Sequence, residues 1–218
     1  MSAAGTPPAS AWGAGASSGR RVTLITTGGT IEKTYDETTG ALENRGSIVA
    51  RMLRRLRLVG TTVQVVELMS KDSLHMDEAD RARILAAVRG AGAVAEPAPG
   101  RGAATPVSGV VILHGTDTLC VTGEHLTAAL APPAGPRVPI VLTGAMRPYE
   151  MKLSDALQNL TEAIFATGVL PPGIYAVAHG RALRFPGVVK DRAARTFVRV
   201  CREGSPDQRE PVATPQSL

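Results

Sequence analysis

Five short apolar runs alternate with four amphipathic stretches between residues 22 and 178. Val22–Thr27 is β-branched and ends at Gly28-Gly29, which predicts a buried strand. Thr62–Leu68, Gly109–Leu113, Val138–Thr143 and Gly173–Ala178 read as further strands, with Gly109–Leu113 continuously apolar. Pro139 donates no backbone hydrogen bond and therefore suits the first residues of its strand. Between the runs, Ser47–Leu58 places Ile48, Met52, Leu53 and Leu56 at helical spacing, with Ser47 positioned as an N-cap. Asp77–Arg89 offers Ala79, Ile84, Leu85 and Val88 for an inner face. Thr118–Leu130 and Ser154–Thr167 complete the helical set, with Ser154 as the second expected cap. This order predicts a single α/β domain built on a mainly parallel sheet, with helices on both faces.

Composition sets the limits of that domain. Residues 1–20 are largely Ala, Gly, Ser and Pro, and are expected to be a disordered tail without a secretory leader. Residues 91–108 are of low complexity and are read as a flexible internal linker, and residues 201–218 as a polar tail. The catalytic domain is thus expected over 21–200. No apolar run approaches the ~18 residues that would span a bilayer, so no membrane partner is expected. Cys120 and Cys201 cannot build a disulfide scaffold or a zinc site, which suits a reducing, cytoplasmic setting. Net charge is +5, and the excess sits in residues 181–202, where seven Lys and Arg face only Asp191. Aromatic residues are 3%. That is too few for the stacking surfaces of nucleic-acid binders, whereas a positive edge suits a small anionic substrate.

In open α/β sheets chemistry gathers at the carboxyl ends of strands. Past the first run, Gly28-Gly29 permits a tight turn, and Thr30 stands just beyond it. Residues 32–46 read as a long polar loop of the kind that serves as a lid, with Tyr35 in it. Past the second run comes Lys71-Asp72-Ser73-Leu74-His75-Met76, which equally suits a polar helix cap. Past the third comes His114-Gly115-Thr116-Asp117-Thr118, where Asp117 fits either a helix cap or a reactive carboxylate. Gly144-Ala145 follows the fourth, and Lys190 lies beyond the fifth. Hydroxyls, one Asp and one Lys suit acyl transfer by a hydroxyl nucleophile, because a Thr hydroxyl needs a base to take its proton. His114 and His179 have no metal-ligand spacing with Cys120, so no metal or cofactor is expected.

Five blocks, in order, resemble the bacterial-type L-asparaginase and asparaginase/glutaminase family. They are TTGGTIEK (26–33), KDSLHM (71–76), LHGTDTL (113–119), LTGAMRP (142–148) with SDALQNL (154–160), and GVVKDRAARTF (187–197). The resemblance implies the fold of the N-terminal domain of those enzymes, in a short-chain form lacking the C-terminal domain. It implies that Thr30 becomes acylated, and that Thr116, Asp117 and Lys190 form a second group in which Lys190 takes the Thr116 proton. It assigns Ser73 to the substrate α-carboxylate, Asp117 to the α-ammonium, the Thr116 N–H to the oxyanion, and the backbone of Ala145 to the pocket wall. Gly29 and Gly115 join the substrate-binding set, and Tyr35 is matched to a lid tyrosine that polarises Thr30. Leu74 and His75 depart from the polar residues that some long enzymes carry there.

The function expected from this resemblance is hydrolysis of L-asparagine to L-aspartate and ammonia, an amidohydrolase reaction on a linear amide. Glutamine differs by one methylene, worth only ~1–3 kcal/mol of discrimination, so the reading leaves room for side glutaminase activity. A homodimer or higher homo-oligomer is expected from the family's habit. Two alternatives stand beside it: a non-catalytic amino-acid-binding or regulatory domain, and an ammonia-producing subunit of an amidotransferase. The latter proteins usually carry an added N-terminal domain, and residues 1–20 are too short and polar to be one.

Overall fold

A computed structural model of the chain describes residues 19–94, 107–133 and 135–200. The expected tails at 1–20 and 201–218 lie outside these residues, except Gly19 and Arg20, and so does most of the expected linker at 91–108. At the near end of that linker Ala93 and Val94 are buried in the core, and Val94 bridges to Pro136.

The central sheet has six strands: β1 (Arg20–Thr26), β4 (Thr61–Glu67), β5 (Gly109–Leu113), β6 (Pro139–Thr143), β7 (Gly173–Ala178) and β8 (Arg181–Arg184). Their spatial order is β4-β1-β5-β6-β7-β8. All pairs are parallel except β7 with β8. β5, β6 and β7 are buried along their whole length, as continuous apolar runs between two helical layers must be. Pro139 opens β6, where its missing N–H costs no ladder bond.

Helices α2 (Glu78–Gly90) and α3 (Leu119–Ala129) cover one face. Ile84, Val88, Leu119 and Leu126 meet Ile25, Ile112 and Leu142 there. Helices α1 (Val49–Leu53) and α4 (Ala156–Ala166) cover the other, where Val49, Met52, Leu160 and Ala163 meet Leu24, Val111 and Val141. α2 begins with a capping box between Asp77 and Asp80. The two expected serine caps are each displaced by one residue. Ile48 and Asp155 occupy the N-cap positions, and Ser47 and Ser154 stand just before them, accepting the N–H of Val49 (3.3 Å) and Ala156 (3.1 Å). α1 is also shorter than the expected 47–58, because the chain turns after Leu53.

The polar stretch at 32–46 is not a structureless loop. It contains a small antiparallel hairpin, β2 (Thr34–Tyr35) with β3 (Leu42–Glu43). Asp36 closes its turn by accepting the Thr38 N–H and the Thr39 hydroxyl. A second hairpin, β9 (Val188–Asp191) with β10 (Thr196–Arg199), follows β8. Its inward residues Val188 and Phe197 are buried against the α3 side of the core.

Candidate active site at the carboxyl edge

The chain leaves β1 toward β4 on one side and returns to β5 on the other, so β1 and β5 flank the point where the strand order reverses. In open α/β sheets the carboxyl ends of two such strands are where ligands bind. Thr30 follows β1, and Thr116 and Asp117 follow β5.

Backbone contact, not side-chain reach, brings the loops together. Gly29 has φ 85°, and a Cβ there would stand 2.4 Å from Gly115 Cα. Glycine is therefore required at position 29 by both conformation and space. A Cβ on Gly115 would in turn meet Ser73 Oγ at 2.4 Å, so Ser73 sits directly over the Thr116 loop. Thr118 Oγ1 donates to the Ser73 carbonyl at 2.8 Å and fixes that third loop. Ser73 is buried, Thr30 is half-buried, and Thr30 opens a short 3-10 turn. The Thr30 hydroxyl has no hydrogen-bond partner among the described residues.

Lys190 comes from β9. Its Nζ donates to Thr116 Oγ1 at 2.8 Å and to Asp117 Oδ1 at 3.0 Å. The three side chains are thus one hydrogen-bonded group, with the Lys190 side chain only 16% exposed. Arg192, at the turn after β9, places Nη2 3.1 Å from the same Asp117 oxygen.

His114 stands at the base of the Thr116 loop and is fully buried. Its Nδ1 is 2.9 Å from the Gly115 carbonyl, which can only accept. Nδ1 therefore carries the hydrogen, and Nε2 accepts from the Thr122 hydroxyl at 2.9 Å. Burial pushes the His114 pKa down to about 4, so the ring is neutral and structural at neutral pH.

Ala145 is buried after β6. Its loop is held by Asp155, whose carboxylate accepts the N–H groups of Met146 (2.9 Å to Oδ2) and Arg147 (3.1 Å to Oδ1), Asn159 Nδ2 (2.9 Å) and His179 Nε2 (2.8 Å). Burial raises the Asp155 pKa, but the Met146 N–H, His179 and Arg147 N–H bonds outweigh it and hold the carboxyl below its ordinary range. His179 Nδ1 lies 2.9 Å from Thr196 Oγ1, which ties this loop to the hairpin that carries Lys190. Sequence reasoning missed this network; the four-residue spacing of Asp155 and Asn159 on one helical face was its available signal.

Tyr35 is 59% exposed on its hairpin. Its N–H donates to Glu150 Oε2 at 3.2 Å, and Glu150 also receives Arg51 at 2.7 Å. Lys33 pairs with Asp72 at 2.8 Å, which links the start of the hairpin to the Ser73 loop. That pairing holds the Asp72 carboxyl below its ordinary range. Behind Thr30, Glu32 is buried. Desolvation raises its pKa, and hydrogen bonds from Ser47 and the Gly28 N–H offset only part of that rise.

Among the described residues, no group of three or more His, Cys, Asp or Glu is placed to hold a metal ion. No helix among them is long and apolar enough to cross a membrane. The arrangement can present a hydroxyl beside a Thr–Lys–Asp group and a buried serine, which is the equipment for acyl transfer on a small polar substrate.

A family model described as "Asparaginase, N-terminal" matches residues 21–198. The thermostable L-asparaginase from Thermococcus kodakarensis superposes with a TM-score of 0.67 at 26% identity, over 83% of this chain and 51% of that one. A probable cytoplasmic L-asparaginase from Campylobacter jejuni shares the fold with a TM-score of 0.62 at 23% identity, over 82% and 51% of the two chains. A glutamyl-tRNA(Gln) amidotransferase subunit from Aeropyrum pernix is 32% identical over 169 residues, 73% of this chain and 35% of that protein. Its namesake from Thermoplasma acidophilum is 30% identical over 149 residues, 68% and 33% of the two. The matched stretch thus spans about a third of those two amidotransferase proteins' own length and about half of the solved enzymes.

Proposed function

The chain belongs to the family of asparaginase N-terminal domains, and from that premise we propose that it hydrolyses L-asparagine to L-aspartate and ammonia, with Thr30 as the nucleophile. The observation that carries the reading is the contact of Lys190 Nζ with both Thr116 Oγ1 (2.8 Å) and Asp117 Oδ1 (3.0 Å). Thr116 and Asp117 follow β5 and Lys190 lies in β9, so this contact joins two distant segments beside the point where Gly29 meets Gly115.

In this reading Thr30 Oγ attacks the amide carbon and the carbonyl oxygen takes the developing charge. The Thr116 N–H faces that oxygen. The amide C–N bond breaks, and the departing nitrogen leaves as ammonia with the proton released by the nucleophile. Water then adds to the Thr30 ester, and cleavage of the ester bond frees aspartate and restores the hydroxyl. Lys190, in its unprotonated form, takes the Thr116 proton, so Thr116 can relay protons to and from the reacting atoms. Ser73 receives the substrate α-carboxylate and Asp117 the α-ammonium, a charge-assisted contact. Gly29, Gly115 and the backbone of Ala145 form the walls, and Tyr35 closes over Thr30 when its hairpin moves inward.

The setting proposed is cytoplasmic and the assembly a homodimer. Phe165 in the last turn of α4 and Val169 in the turn just past it are 64% and 58% exposed and offer apolar surface to a second copy. The names of the amidotransferase relatives favour a second reading, in which the same site releases ammonia for a partner enzyme.

The test is to supply purified protein with L-asparagine and measure ammonia and aspartate together. Equal release of both by the chain alone is expected. Turnover that appears only when a transferase partner is added supports the second reading. No turnover under either condition refutes both.

A further inference from the structure

The Asp117 carboxylate that would receive an ammonium group is already engaged by a guanidinium, whose charge is permanent. Lys190 Nζ and Arg192 Nη2 lie 3.0 and 3.1 Å from the same oxygen, Oδ1. Among the described residues neither neighbouring acid, Asp191 or Glu124, forms an ion pair with either of them. Asp191 is occupied in its own turn, where Oδ1 accepts the Ala194 N–H at 2.9 Å, and Glu124 accepts the Gly187 N–H at 2.6 Å. Arg192 opens the β9–β10 turn with its side chain 73% exposed, and its one ion pair among the described residues is with Asp117.

We propose that Arg192 is a specificity-determining residue that lowers the demand for a free α-ammonium and widens the substrate class to ω-monoamides of short dicarboxylic acids that lack one. The inference rests on the amidohydrolase reading above. An arriving ammonium must share a carboxylate already engaged by a guanidinium and meets like charge on approach. An amide that carries only a carboxylate meets the same guanidinium as attraction. Succinamate is asparagine without the ammonium, so it fits any site that admits asparagine, and the chemistry at the amide carbon is unchanged.

The experiment compares kcat/KM for succinamate and L-asparagine in the wild-type chain, Arg192→Gln and Arg192→Lys, with circular dichroism to confirm folding. The wild type should hydrolyse succinamate at least as efficiently as asparagine. Arg192→Gln should shift the asparagine-to-succinamate ratio toward asparagine by about fivefold, the size expected of one exposed charge pair. The shift should appear in KM rather than kcat, and Arg192→Lys should keep the wild-type ratio. A ratio that moves less than about twofold in the Gln variant, or a wild type that favours asparagine, overturns this inference while leaving the amidohydrolase reading intact. Absence of ammonia from both substrates overturns the two together.

Discussion

Lys190 Nζ stands 2.8 Å from Thr116 Oγ1, although the two residues are 74 positions apart in the chain. The antiparallel return of β8 and the hairpin β9–β10 carry Lys190 back over the carboxyl edge of the sheet. His179 and Thr196 brace that hairpin against the Ala145 loop.

Replacing Lys190 separates charge from proton transfer. Lys190→Met should lower kcat for ammonia release by about a hundredfold or more, the usual contribution of a general base. Lys190→Arg keeps the charge near Asp117, but a guanidinium does not give up its proton in the working range, so it should fail as well. Steady-state kinetics of both variants check this. An Arg variant at wild-type rate makes Lys190 an electrostatic anchor rather than a base.

Gly29→Ala should damage fold and site together. The new methyl group would stand 2.4 Å from Gly115 Cα, at a residue whose φ is 85°. Backbone cannot move aside cheaply, so a loss of about 2 kcal/mol or more is expected in urea unfolding. Unchanged stability would mean that the two loops are not in contact.

His114 gives the stability a pH signature. Its pKa falls from 6.5 in the unfolded chain to about 4 when buried. The unfolded state therefore binds the extra proton first. Stability contributed by the neutral ring is complete above pH 6.5 and is lost as pH falls from 6.5 toward 4. The full change is about 3 kcal/mol. Glu32 acts in the opposite sense, since a raised carboxyl pKa favours the fold as pH falls. Comparing wild type with His114→Gln cancels that contribution. The variant, though less stable, should lose less further stability between pH 6.5 and 4; parallel curves would remove His114 as the source.

The dimer is checked by light scattering at micromolar concentration. The chain is 22.7 kDa, so a mass near twice that value is expected. Phe165→Glu should shift the assembly toward monomer if the α4 patch forms the contact.

Most of the sheet was legible because its strands are uninterrupted apolar runs. Gly109–Leu113 and Gly173–Ala178 appear with the expected bounds. β8, β9 and β10 were not read, for a physical reason. They are four residues each, and arginines stand at both ends of β8 and at the end of β10. No apolar run marks them. The β2–β3 hairpin was hidden likewise, since it rests on turn bonds to Asp36 rather than on burial. At the candidate site, the residue types were visible in the motifs, and the resemblance supplied their grouping. The sharing of Asp117 by Arg192, and the Asp155–His179–Thr196 brace, arise from distant segments meeting and have no local sequence signature.

The central claim is that Thr30 is the nucleophile of an amide hydrolysis. Its most direct test is the rate of ammonia release from L-asparagine by Thr30→Ala beside the wild type, with folding verified by circular dichroism. Thr30 is half-buried at the start of a short turn, and its hydroxyl has no hydrogen-bond partner among the described residues, so the variant should fold normally. A nucleophilic Thr30 predicts a fall in kcat on the order of a thousandfold, the usual cost of removing one member of a catalytic unit. A folded Thr30→Ala protein that retains more than about a tenth of the wild-type rate would contradict it, because a true nucleophile cannot be removed at so small a cost.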